Sequence, residues 1–226
     1  MLTVEDQSGD ESLLQWGKDW IRRETQKPGN VFLEAAHRID RPVSGIVLFA
    51  RTSKAASRLT KAFRDRTVEK LYLAVVEGGP RESSGECVDL LVKDSSSNIS
   101  RVVRAHPDAK PCRLSWTLLE TRDSVLPNSS PRQSLLLVRP ETGRPHQIRV
   151  QLSSRGWPIV GDVKYGAREE HPWIALHSAG LRFPHPTKPE SVVMTSLPPW
   201  DELPGLAAFL PSARTALETF RESFQK

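Results

Sequence analysis

The segment His37-Arg-Ile-Asp-Arg-Pro-Val-Ser-Gly-Ile-Val-Leu-Phe-Ala50 joins a charged turn to an uncharged, β-branched run. Gly45 to Ala50 reads as a buried strand. The turn before it sets Asp40 between Arg38 and Arg41, and nearby positive charge favours a carboxylate over its acid. Two readings stay open for that turn. One is a turn-forming aspartate with solvated arginines; the other is a carboxylate held ready for chemistry.

Working outward, residues 11–24 (ESLLQWGKDWIRRE) have helical spacing, with Leu13, Leu14, Trp16, Gly17, Trp20 and Ile21 near one side. Gln26-Lys-Pro-Gly-Asn30 ends that helix. On the other side, Ser53 is a fit N-cap for a helix reaching about Arg66, with Ala55, Leu59, Ala62 and Phe63 as its apolar positions. Lys54, Arg58 and Lys61 form a basic stripe on it, either a solvated face or a phosphate-contacting one. Lys70 to Glu77 reads as a strand closed by Gly78-Gly-Pro80, and Arg113–Glu120 and Ser134–Val138 as two more. Lys93–Asn98 and Thr121–Gln133 are turn-rich loops. Pro198–Pro204 is a connector, and residues 205–226 form a helical tail whose helix, Ala213 to Phe224, is expected on the surface. Strands and helices mix without a βαβ rhythm, and no Gly-rich loop follows a strand. An α+β domain around a largely antiparallel sheet fits this order.

Two further clusters carry polar groups that packing does not require. Lys70 and Tyr72 share one face of their strand, and the tyrosine offers a flat ring with a polar tip for stacking on a base. An ordinary half-buried strand tyrosine is the competing reading. In Arg139-Pro-Glu-Thr-Gly-Arg-Pro-His-Gln-Ile-Arg-Val-Gln-Leu152, Ile148, Val150 and Leu152 alternate like a strand. Pro145 at a first helical position and Gly156 just past the end argue instead for a helix, with Arg149 one turn from His146. Neither His37 nor His146 has an acidic or Cys partner at ligand spacing, so no metal site is expected. The hydrolase pattern G-x-S-x-G does not occur.

The chain has 226 residues, 38% hydrophobic and 26% charged, enough for one globular core. No stretch approaches the roughly 20 apolar residues of a membrane helix, and the polar, acidic start resembles neither a signal nor a transit peptide. Two distant cysteines, Cys87 and Cys112, make a disulfide framework implausible and a reducing cytoplasm the expected setting. The net charge is +5. Arg51 to Lys70 holds seven basic and two acidic residues, so the positive charge is concentrated there.

Together these segments resemble the RluA family of RNA pseudouridine synthases. His37-Arg-Ile-Asp-Arg-Pro-Val-Ser-Gly45 is similar to the family's H-R-L-D-x-x-T-S-G loop, Lys70-Leu-Tyr-Leu-Ala74 to its K-x-Y-x-A strand, and Thr142-Gly-Arg-Pro-His-Gln-Ile-Arg-Val150 to its T-G-R-x-H-Q-I-R-V helix. Gly161-Asp-Val-Lys-Tyr-Gly166 and Leu176-His177 match further family segments. The resemblance runs from about Leu13 to about Pro189. It implies a pseudouridine synthase fold, no cofactor, and an rRNA or tRNA stem-loop as partner; a monomer is the default expectation. Asp40 matches the essential aspartate, which attacks the ribosyl C1′ or abstracts a sugar proton. Tyr72 matches the tyrosine that stacks on the target base and helps remove the C5 proton. Arg149 matches the arginine paired with the catalytic carboxylate. Arg38 matches the residue that fills the space left by the flipped nucleotide. With Lys54, Arg58, Lys61, Lys70, Arg144 and His146, Arg38 makes up the expected RNA-binding set.

The chain departs from the family pattern at Val43, Ile39 and Pro145, none of which removes a named catalytic group. It also starts about where the family's first strand, carrying K-P-x-G, has ended, and shows no S4 domain. One catalytic domain over residues 1–226 is expected, with an exposed sheet edge if that strand is missing. A non-catalytic RNA-binding module on the same fold is the alternative. A basic metal-dependent nuclease would need a carboxylate cluster near the histidines, and none is evident.

Overall fold

The computed structural model describes residues 2–4, 9–26, 29–94, 96–124, 130, 132–203 and 205–224. Numbered in chain order, the main sheet runs β10 (Ser191–Thr195), β9 (Leu176–Pro184), β4 (Glu69–Glu77), β8 (Arg132–Pro140), β7 (Lys110–Asp123), β5 (Ser84–Asp94), β6 (Ile99–Val103), with every neighbour antiparallel. A short β2 (Ser44–Gly45) adds to β9 in parallel and makes the sheet mixed. β1 (Glu34–Ala35) and β3 (Phe49–Ala50) form a separate ribbon. Among the described residues four α-helices complete the α+β fold: α1 (Leu13–Thr25), α2 (Ser53–Arg64), α3 (Gln147–Ser153) and α4 (Leu210–Glu222).

The central strands are apolar on both faces because helices or loops cover both. Leu71, Leu73, Leu135 and Leu136 are fully buried in one core with α3 and α4, each worth about 2 kcal/mol of burial. A second core lies where Ala56, Leu59 and Ala62 of α2 meet Leu181 and Phe183 of β9.

The expected strand over Gly45–Ala50 is broken. Gly45 (φ +116°) sits against β9 so closely that a Cβ there would lie 2.3 Å from the Ser178 carbonyl oxygen, and the chain peels away from the main sheet before pairing with β1 as β3. The backbone still finds partners, Ile46 N–H donating to Ser178 O at 2.9 Å. Thr52, not Ser53, caps α2, its hydroxyl accepting from Ala55 N–H, and the helix ends at Arg64. The ambiguous segment ending at Leu152 is a helix, but Pro145 is not its first residue. His146 precedes it in the left-handed region (φ +55°), so α3 starts only at Gln147. On α1 the buried strip is narrow, Gly17 lying against Leu33 and Ile21 being buried. Trp16 and Trp20, expected on that face, flank it at 49% and 47% exposure.

The terminal helix starts earlier than expected and is no surface appendage: Ala213, Leu217 and Phe220 enter the main core. β7 and β8 extend into the loop expected over 121–133, whose residues 125–129 and 131 lie outside the described residues. So do residues 27 and 28 of the turn after α1, residue 95 of the β5–β6 turn and Pro204 of the connector. β10 and β6 are the edges of the described sheet. Cys87 and Cys112 are buried free thiols, and burial pushes both up to about 11.

Candidate active site

Asp40 sits in a tight turn, Val43 N–H donating to Asp40 O at 2.9 Å. The flanking side chains Ile39 and Val43 pack into the main core, so the loop is anchored on both sides of the carboxylate. Beyond it, Ser44 Oγ lies 2.7 Å from His177 Nδ1, and His177 Nε2 lies 3.2 Å from Ser196 O. A carbonyl can only accept, so Nε2 carries the proton and Nδ1 accepts from the Ser44 hydroxyl. Burial pushes His177 down to about 4, keeping this relay neutral.

Arg149 reaches Asp40 from α3, Nη1 donating to Oδ2 at 3.2 Å. Its other donors are taken by Asp162: Nε to Oδ2 at 2.7 Å and Nη2 to Oδ1 at 2.8 Å. The guanidinium also lies over the Tyr165 ring, 4.9 Å from its centroid. Burial opposes the Arg149 charge, but Asp162 and then Asp40 outweigh it and hold its pKa raised. Exposure falls from 27% at the Asp40 side chain to 5% at Arg149 and 1% at Asp162. Only the outer carboxylate is accessible, and among the described residues its Oδ1 has no hydrogen-bond partner.

Gly161 places Asp162: with φ +84° the chain turns where a Cβ would lie 2.4 Å from Trp173 O. Tyr165 follows one short 3₁₀ turn later. Its hydroxyl accepts from Ser100 N–H at 2.9 Å and lies 2.7 Å from His146 Nδ1. Burial lowers the His146 pKa despite the Asp40 charge, and burial raises that of Tyr165, so a neutral ring meets a protonated phenol in this hydrogen bond.

Tyr72 is half-buried on β4, whose register against β9 shifts between Leu71 and Tyr72. Burial pushes its phenol up to about 12, Ser178 pulls against that shift and the Asp40 charge adds to it. A resting Tyr72 is therefore a neutral phenol. Lys70, on the same side, turns its ammonium inward to Thr142 O at 2.9 Å, and burial pulls it down to about 8.

The structure thus brings Asp40, Arg149, Tyr72 and His146 into one electrostatic neighbourhood. The other residues picked out in the sequence lie apart from its contacts. Arg38 is exposed. Arg144 Nε donates to Pro111 O at 3.2 Å. On α2, Lys54 is exposed, Arg58 donates to Pro186 O at 2.6 Å, and Lys61 pairs with Asp65. His37 accepts from Leu48 N–H, stacks on Phe63 and is pushed down to about 4, first by burial and then by Lys70. Among the described residues no group of three or more His, Cys, Asp or Glu side chains is placed to hold a metal ion. Asp162 and Tyr165 are the functional candidates that residue-by-residue reading missed. The signal was present, an Asp and a Tyr three apart between two glycines at 161–166.

A mixed, largely antiparallel sheet that presents a loop carboxylate to a buried arginine defines the class, and the family model described as RNA pseudouridylate synthase matches residues 5–154. The chain belongs to that family, in its RluA-type branch. It is 37% identical over 168 residues to the ribosomal large subunit pseudouridine synthase C of Vibrio vulnificus (strain CMCP6), covering 71% of this chain and 50% of that protein. The protein of the same name from Pasteurella multocida (strain Pm70) is 33% identical over 176 residues, 74% of this chain and 52% of that one. The chain spans about half the length of the curated relatives it matches. Among solved structures, human RNA pseudouridylate synthase domain containing 1 superposes with a TM-score of 0.68 at 27% identity, over 88% of this chain and 83% of that one. Human RNA pseudouridylate synthase domain containing 4 shares the fold, with a TM-score of 0.70 at 20% identity over 96% of this chain and 86% of that one.

Proposed function

We propose that the chain isomerises a uridine in structured RNA to pseudouridine, with residues 1–226 forming one catalytic domain. The observation that carries this is the half-open carboxylate: Asp40 is fixed at Oδ2 by a locked arginine while Oδ1 is left for substrate. The C1′–N1 bond breaks, the base turns, C5 bonds to C1′, and the C5 proton leaves while N1 gains one. No atoms or electrons are gained or lost overall, the C5 proton going to solvent and N1 taking one from it, so the reaction needs no cofactor. Asp40 acts on the sugar, either at C1′ or on a sugar proton, and Arg149 holds it in place. Tyr72 stacks on the base. As its hydroxyl is protonated at rest, it removes the C5 proton only by passing its own proton on.

A uridine inside a stem must first be extruded, at a cost of a few kcal/mol. Sequence-independent phosphate contacts offset that cost, and Arg38, Lys54, Arg58, Lys61, Lys70, Arg144 and His146 are the residues assigned to RNA. For Lys70 the assignment requires its ammonium to leave Thr142. The names of the relatives favour a large-subunit rRNA over a tRNA, and a monomer working in the cytoplasm fits the reading. No described helix is long and apolar enough to cross a membrane.

The test is tritium release from unmodified RNA labelled at uridine C5, with chelator present. Wild type is expected to release tritium, and Asp40→Asn to release none while still binding RNA. Substantial turnover by Asp40→Asn would sink the assignment.

A further inference from the structure

The Asp40 loop has a second anchor that is not part of any matched motif. Thr3 is 7% exposed, and its one hydroxyl serves both backbone groups of Ile39. Thr3 Oγ1 donates to Ile39 O at 3.2 Å and accepts from Ile39 N–H at 3.4 Å. This is the exchange that a paired strand residue makes with its backbone, performed here by a side chain. The chain before α1 is itself fixed to that helix: Leu13 N–H donates to Leu2 O at 2.6 Å and Leu14 N–H to Thr3 O at 3.2 Å. On the far side of the carboxylate, Asp10 of the same segment pairs with Arg41 at 2.6 Å. Thr3 and Asp10 therefore hold the residues on both sides of Asp40.

We infer that Thr3 is a positioning residue for Asp40, tying the backbone of Ile39 so that the next carboxylate meets Arg149. The inference rests on the proposed uridine isomerisation. Ile39 already packs its side chain into the core, so losing Thr3 leaves the residue in place but frees its peptide groups to rotate. Asp40 then samples orientations away from the 3.2 Å contact with Arg149. A misplaced reacting group lowers the chemical step without weakening RNA binding.

The experiment compares wild type, Thr3→Val and Thr3→Ser in the full chain. Valine keeps the shape and loses the hydroxyl; serine keeps the hydroxyl. Single-turnover tritium release from C5-labelled RNA is expected to slow about tenfold in Thr3→Val, with RNA affinity within about twofold. Thr3→Ser is expected to stay within about threefold of wild type. In parallel, amide hydrogen exchange over residues 38–44 is expected to speed up in Thr3→Val and not in Thr3→Ser. Unchanged exchange in Thr3→Val overturns the anchor whether or not any chain is active. Faster exchange with an unchanged rate, or equal slowing in both variants, overturns the positioning role. If wild type releases no tritium, the isomerase reading fails, and with it the catalytic purpose of the anchor, while exchange still decides whether the anchor exists.

Discussion

Two arginine–carboxylate pairs in this chain use the same chemistry in opposite surroundings. Arg149 and Asp162 meet as a two-point fork at 2.7 and 2.8 Å, with side chains 5% and 1% exposed. Arg113 meets Glu86 through one nitrogen, Nη2, at 2.9 and 2.7 Å, with side chains 47% and 49% exposed. At the surface, water competes for every donor and the net gain is about 0–1 kcal/mol. In the interior both charges have lost their water, and removing one leaves the other uncompensated. The buried pair fixes a geometry, and Asp40 draws on that geometry without being buried itself.

The comparison can be broken from the buried side first. Asp162→Asn leaves Arg149 with Asp40 alone and is expected to cost about 3–5 kcal/mol of stability, read from urea unfolding at pH 7. A loss below about 1 kcal/mol would mean the interior pair is worth no more than the surface one. Next comes His177, buried and linked to Ser44. Its folded pKa of about 4 lies below the ordinary 6.5, so the unfolded chain binds more protons between those values. Stability therefore falls as pH drops through that window. Between pH 7 and 5 wild type is expected to lose about 2 kcal/mol more than His177→Gln, and equal losses would show the relay does not titrate. The smallest effect belongs to the surface pair. Glu86→Gln is expected to change stability by less than about 1 kcal/mol, with no difference left in 1 M salt.

The contrast also separates what the residue order revealed from what it hid. Asp40, Tyr72 and Arg149 were legible because each stands in a run whose residue types packing alone does not demand. Helix α2 was legible from its period, as was the strand at Lys70. The sequence misled where tertiary contacts override local preference. Gly45–Ala50 has the composition of a strand, but the approach of Ser178 bends it away. Trp16 and Trp20 share the helical face of Ile21, yet Leu33 covers only its centre. The terminal helix looks amphipathic and peripheral until Phe220 is seen in the main core. Asp162 and Tyr165 were hidden for another reason, since a short Asp-x-x-Tyr between glycines carries no periodicity. Their importance comes from Arg149, 13 residues before Asp162 and 16 before Tyr165. Thr3 was invisible because nothing local distinguishes a threonine that hydrogen-bonds 36 residues away.

The Asp40–Arg149 contact joins residues 109 positions apart, and the Ser44–His177 contact joins residues 133 apart. At synthesis rates of about 5–20 residues per second, the aspartate leaves the ribosome roughly 5 to 20 s before its arginine. The loop next to Thr3 can form early, but the carboxylate has no partner until α3 arrives and no sheet edge to rest on until β9 does. A chain still being made therefore carries Asp40 well before the arginine that orients it, so the order of translation leaves this geometry incomplete until β9 has emerged.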